Sequence, residues 1–165
     1  MPKYLYTYLP KNNTAEVDGI QSTAFSPEGY RKYINRAKQK GYGKSRADVL
    51  SWLDNSIPSF RRSYAVSFLT EPIPKTAPTH LKQFADTHTL FRVDPALLLA
   101  SGVVARIAHP NKGTTGGAVV DKIQYLPVDW HVKQKKKQQR VFSQVPHYFL
   151  ETTKGIIPSR FIEKV

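Results

Sequence analysis

Short apolar runs, each closed by turn-forming residues, set the pattern of the chain. Lys3 to Leu9 (KYLYTYL) alternates, and Pro10 with the polar KNNT segment stops it, which predicts a first strand. Ser26-Pro27-Glu28 supplies an N-cap hydroxyl followed by a first-turn proline and acid, so a helix is predicted from 27 to 40, ended by Gly41 and Gly43. Ser45 caps a second helix that carries Val49, Leu50, Trp52 and Leu53 and stops before Pro58. Ser63 to Thr70 (SYAVSFLT) reads as a middle strand, and the EPIPKTAP segment after it cannot stay inside a sheet. Leu81, Phe84 and Ala85 share a short helix, and Leu90 to Val93 form a strand. Asp94-Pro95 opens a helix through Leu99 that ends at Gly102. Val103 to Ala108 returns to strand, and the glycine-rich stretch from 109 to 118 reads as a flexible hairpin loop leading to Val119–Leu126. Val141 to Leu150 is a late strand or strand pair.

Strands and helices segregate instead of alternating strictly, which favours an α+β fold with an antiparallel or mixed sheet. Tyr4, Tyr6, Phe68, Phe91, Val104, Ile123, Phe149 and Ile162 are the expected contributors to one core or its cleft wall. At 165 residues, with no repeat and no internal boundary, residues 1–165 are expected to form a single compact domain. The 40% hydrophobic content, with 2 Trp, 9 Tyr and 8 Phe, argues against global disorder. No apolar run approaches the roughly 20 residues that span a bilayer, and the start lacks a secretory pattern. The expected location is therefore cytoplasmic, or exported without a standard signal peptide, with no membrane partner. The absence of cysteine removes disulfides, thiolate metal sites and a cysteine nucleophile together.

Charge changes the picture further. The chain has 25 Lys and Arg against 12 Asp and Glu, a net +13, which attracts polyanions and makes nucleic acid the first partner to consider. The surplus is clustered in two segments. Arg31, Lys32, Arg36, Lys38, Lys40, Lys44 and Arg46 stand with no acid among them, and Lys133, Lys135, Lys136, Lys137 and Arg140 form a second run. Contacts from such residues to phosphates give salt-dependent and largely sequence-independent affinity. Tyr30, Tyr33 and Tyr42 interleave the first run, as a stacking surface requires, although at these spacings a tyrosine is more often the buried edge of a helix.

Conventional catalytic patterns are absent. His80, His88, His109, His131 and His147 show no metal-binding spacing and have no carboxylate cluster beside them. The GTTGG stretch at 113–117 has backbone donors for a phosphate but lacks the Walker lysine and a following helix. Ser22, Ser26 and Ser67 have no nucleophile-elbow context. His147 and Glu151, four apart on one predicted strand, face the same way at some 13 Å, too far to pair directly.

The order of these elements resembles the ADP-ribosyltransferase-like fold, including the RNA 2′-phosphotransferases and DNA-modifying ADP-ribosyltransferases. The resemblance rests on Tyr6-Thr7 in the first strand, Gly-Ile-x-Ser-Thr at 19–23, two helices, the middle strand Tyr64 to Leu69, Leu-Phe-x-Val-Asp at 90–94, and Gly-x-Ile-Pro-x-x-x-Ile at 155–162. It covers nearly the whole chain as an order of elements. It implies a split, mainly antiparallel sheet, with helices between the first and middle strands and NAD as cofactor in the cleft. By position it places Tyr6, Thr7 and Tyr8 at the nucleotide, with Thr7 where the family has His or Arg. It also places Ser67 on the middle strand, and Glu151 or His147 at the late position, as the catalytic group. Glu151 would stabilise positive charge developing on the ribose. Arg31, Lys32, Arg36, Lys38, Lys40, Lys135, Lys136, Lys137 and Arg140 would hold a nucleic-acid acceptor, with a protein acceptor also open. Two other readings stand beside it: a non-enzymatic basic module that binds RNA or DNA, and a secreted effector or toxin.

Overall fold

The structure, a computed structural model, describes residues 2–22, 24–26, 45–55, 60–77, 79–110, 119–120, 123–126 and 147–165. The predicted helix at 27–40 lies outside these residues. So does every basic residue assigned above to nucleic acid: Arg31, Lys32, Arg36, Lys38, Lys40, Lys135, Lys136, Lys137 and Arg140.

The chain is α+β. It runs β1 (Leu5–Pro10), α1 (Ala15–Asp18), β2 (Ile20–Gln21), α2 (Arg46–Asn55), a 3-10 turn (Arg62–Tyr64), β3 (Ala65–Leu69), α3 (Thr79–Asp86), β4 (His88–Val93), α4 (Pro95–Ala100) and β5 (Val104–Pro110). It continues through β6 (Val119–Val120), β7 (Ile123–Leu126), β8 (His147–Thr152), β9 (Ile156–Ile157), a second 3-10 turn (Ser159–Phe161) and β10 (Glu163–Lys164). The main sheet has the order β10-β4-β1-β3-β8-β5-β7-β6, and a separate two-stranded sheet joins β2 to β9. Every neighbouring pair is antiparallel except β5 with β7. The hairpin expected after Val103–Ala108 is therefore corrected: β7 runs parallel to β5, which a tight turn cannot connect, and β6 folds back against β7.

Local chemistry accounts for the elements. At the start of α2 the Asp48 N–H donates to Ser45 Oγ at 3.1 Å and the Ser45 N–H returns a bond to Asp48 Oδ2 at 3.4 Å, a reciprocal cap. In α4 the Asp94 side chain accepts from the Leu97 N–H at 3.1 Å, Pro95 occupies the first turn, and Gly102 follows the helix at φ +77°. Gly19 enters β2 at φ +78°, and a Cβ there would run into the Ile157 carbonyl, so the crossing of β2 and β9 requires glycine.

Alternation along the strands divides the main sheet into two faces. On one face Leu5, Val66, Phe68, Phe91, Val93, Val104, Ile107 and Leu150 pack under Ala15, Ile20, Leu98 and Ile157. Each of the larger side chains, once buried, contributes about 1.5–3 kcal/mol. A smaller cluster of Phe60, Ala65, Ala108 and Phe149 lies on the other face. Of the expected core residues, Phe68, Phe91, Val104 and Phe149 are buried, Ile162 packs against the main cluster half-buried, and Tyr4 and Tyr6 are half-buried. The side chain of Ile123 lies outside the described set.

Candidate functional site

The second sheet face carries the buried charge of the described chain. Glu151 on β8 sits opposite Ala65 of β3 on one side and Arg106 of β5 on the other. β5 reaches that register through a bulge: Val104 pairs with Thr152, yet Arg106 pairs with Glu151, so Ala105 is the extra residue. The bulge keeps Val104 and Ile107 in the main core while turning Arg106 to the opposite face. Arg106 Nη2 then approaches Glu151 Oε2 at 2.7 Å and Oε1 at 2.9 Å. The Arg61 backbone N–H, just before the first 3-10 turn, donates to Glu151 Oε2 at 3.0 Å. The Glu151 side chain is 7% exposed and that of Arg106 is 29% exposed, so the carboxylate is the enclosed partner and the guanidinium reaches solvent.

The same bonds shape the surface around Arg61. Its guanidinium carbon lies 3.6 Å from the centre of the Tyr64 ring. Phe25 meets Tyr64 edge to face at 5.3 Å and 81°, and its ring covers Gly155, where any Cβ would overlap it. Thr152 Oγ1 donates to the Tyr64 carbonyl at 2.7 Å, and the Ser63 N–H donates to Asp54 Oδ1 at 2.9 Å, tying the turn to β8 and α2. Close by, the Ser22 N–H donates to the Gly155 carbonyl at 2.8 Å, while the buried Ser22 hydroxyl has no partner among the described residues.

The residues expected at a nucleotide cleft are distributed across the sheet. Tyr6, Ser67 and Glu151 share one face of β1, β3 and β8, since Tyr6 is opposite Leu69, Ser67 opposite Phe149 and Ala65 opposite Glu151. His147 is placed by register opposite Leu69. Thr7 pairs with Phe91 and belongs to the core face, away from Tyr6 and Tyr8. The Tyr8 hydroxyl accepts the Ile73 N–H at 3.0 Å and its ring packs against Phe84 of α3 at 6.0 Å. β3 pairs with both β1 and β8, so the first and late strands lie on either side of it, roughly 10 Å apart. Of the residues expected at the nucleotide, Tyr6, Ser67 and Glu151 thus share one sheet face while Thr7 lies on the other, and the Glu151 carboxylate is bound on both oxygens.

Arg61, Tyr64 and Arg106 went unflagged in the sequence reading. One signal pointed to Arg106: it is a lone arginine inside the apolar run VVARIA, and a charge in such a strand needs a partner. Among the described residues, no group of three or more His, Asp or Glu is placed to hold a metal ion, and no helix is long and apolar enough to cross a membrane. Comparison with family models, with curated proteins and with solved structures returns no match.

Proposed function

We propose that the chain is a nucleic-acid-binding module. The observation that carries this reading is the net charge of +13 on 165 residues, with the surplus gathered in two segments. Such a field raises the local concentration of polyanions and speeds their capture. The described geometry supports it at the Arg61 corner. There the one buried carboxylate is consumed internally by Arg106 and the Arg61 N–H, so Glu151 offers no free negative charge to an approaching phosphate. Recognition of this kind positions a backbone through phosphate contacts and needs no catalytic group.

The test is fluorescence anisotropy with a labelled oligonucleotide across about 50–200 mM salt. Affinity is expected to fall steeply with salt. Replacing Lys135, Lys136 and Lys137 together by Gln is expected to weaken binding and to lower the slope of log affinity against log salt by about 2–3, the share of three phosphate contacts. Affinity that is indifferent to salt refutes the reading.

A second reading, ADP-ribosyl transfer from NAD, keeps one observation in its favour. Ser22, in the Gly-Ile-x-Ser-Thr segment of the resemblance, is buried with its hydroxyl unpartnered, a cost of about 1–3 kcal/mol that a bound ligand would relieve. Label transferred from NAD to RNA, DNA or protein supports this reading, and absence of both transfer and NAD binding removes it.

A further inference from the structure

We infer that the corner built by Arg61, Tyr64 and Phe25 is a stacking site for an unpaired base of single-stranded nucleic acid. The inference rests on the nucleic-acid reading and adds to it a site and a strand preference. A guanidinium lying on an aromatic ring has one planar face satisfied by the ring and the other turned outward. At Arg61 the inner face is taken by Tyr64 at 3.6 Å, and the residue is exposed. Single-stranded bases stack on arginine planes as well as on aromatic rings, whereas a duplex keeps its base faces covered by their neighbours.

The platform is also held in advance of any ligand. The Arg61 backbone is fixed by its bond to Glu151, ninety residues away in sequence, and Glu151 is fixed in turn by Arg106. The Tyr64 ring is buttressed edge to face by Phe25, which is 47% exposed and seated on Gly155. A large exposed aromatic ring beside a stacked guanidinium gives the edge of the site a second apolar surface for a base. The positive chain supplies the long-range attraction that brings a polyanion to it.

Charge and stacking are separable by substitution, because Lys keeps the positive charge of Arg61 and lacks its plane. The measurement is anisotropy of a labelled oligothymidine of about 12 nucleotides and of a blunt duplex of the same length, with wild type, Arg61→Ala, Arg61→Lys and Phe25→Leu. Thermal unfolding confirms that each variant is folded. Arg61→Lys is expected to lose about tenfold on the single strand, with duplex affinity and salt slope unchanged. Arg61→Ala and Phe25→Leu are expected to lose single-strand affinity as well. Wild-type binding of the single strand by Arg61→Lys, or an equal loss on single strand and duplex, overturns the stacking site while leaving the nucleic-acid reading intact. Failure of the wild type to bind either oligonucleotide overturns both.

Discussion

Removing one partner of the Arg106–Glu151 pair should reveal which member the fold encloses. In Arg106→Met the Glu151 carboxylate, 7% exposed, keeps the Arg61 N–H as its donor among the described residues and loses the Arg106 counter-charge. Breaking a buried pair in this way costs about 3–5 kcal/mol. In Glu151→Gln the group left uncompensated is the Arg106 guanidinium, which at 29% exposure draws on water, and the new amide oxygen still accepts the Arg61 N–H. That loss is smaller, about 1–2 kcal/mol, in line with a charge-assisted bond replaced by a neutral one. For a chain of this length each kcal/mol moves Tm by about 2–4 °C, so Arg106→Met should lie about 10 °C below wild type and Glu151→Gln about 4 °C below. The double variant Arg106→Met/Glu151→Leu, which buries no charge, should recover most of the Arg106→Met loss. Urea and thermal denaturation measure all four chains. An Arg106→Met loss below about 1 kcal/mol, or a larger loss for Glu151→Gln, refutes the enclosure reasoning.

Three other outcomes are expected. Gly102→Ala, at φ +77° with open space around it, should cost about 1 kcal/mol, whereas Gly19→Ala should cost clearly more, about 3 kcal/mol, since its Cβ also meets the Ile157 carbonyl; urea midpoints rank the two. Leu98→Ala, fully buried where α4 covers the main sheet, should cost about 2–5 kcal/mol by thermal denaturation. The exposed Glu163 carboxylate, bonded to Arg92 at 2.7 Å, titrates below the usual carboxylate range because of that hydrogen bond. Its contribution to the docking of β10 on β4 is therefore present above its ordinary value of 4.5 and is lost as pH falls through its lowered one, so amide protection at β10, relative to the intrinsic exchange rate at each pH, should fall with acid in wild type and show no such step in Glu163→Gln.

What the sequence made legible was local. The Ser45 cap, the Asp94-Pro95 start, and the apolar runs that bury Phe68 and Phe91 are all written within a few residues of where they act, whereas on β1 the core side belongs to Leu5 and not to the expected Tyr4 and Tyr6. Each is decided by bonds to near neighbours in the chain, so pattern and outcome agree. The sheet partners were less accessible, because β7 pairs parallel to β5 and no turn between them announces that choice. The place of β3 between β1 and β8 is likewise a matter of which strands meet.

The candidate site shows the same division in one strand. In an uninterrupted strand, Val104, Arg106 and Ala108 would share a face, with Ala105 and Ile107 opposite, and that alternation would send Arg106 to the same side as the buried Val104. The bulge at Ala105 changes the parity, so Val104 joins Ile107 in the main core and Arg106 joins Ala108 on the other face, across from Glu151. One extra residue thus decides whether the guanidinium meets hydrocarbon or a carboxylate 45 positions away. The Glu151 carboxylate was visible in the sequence as a polar residue in an apolar strand, and its chemistry was open. In the structure that carboxylate, 7% exposed and bound by Arg106 and the Arg61 N–H, holds the Arg61 turn in place. The exposed guanidinium of Arg61, anchored by that turn over Tyr64, faces outward at this corner, and among the described residues no acid pairs with it.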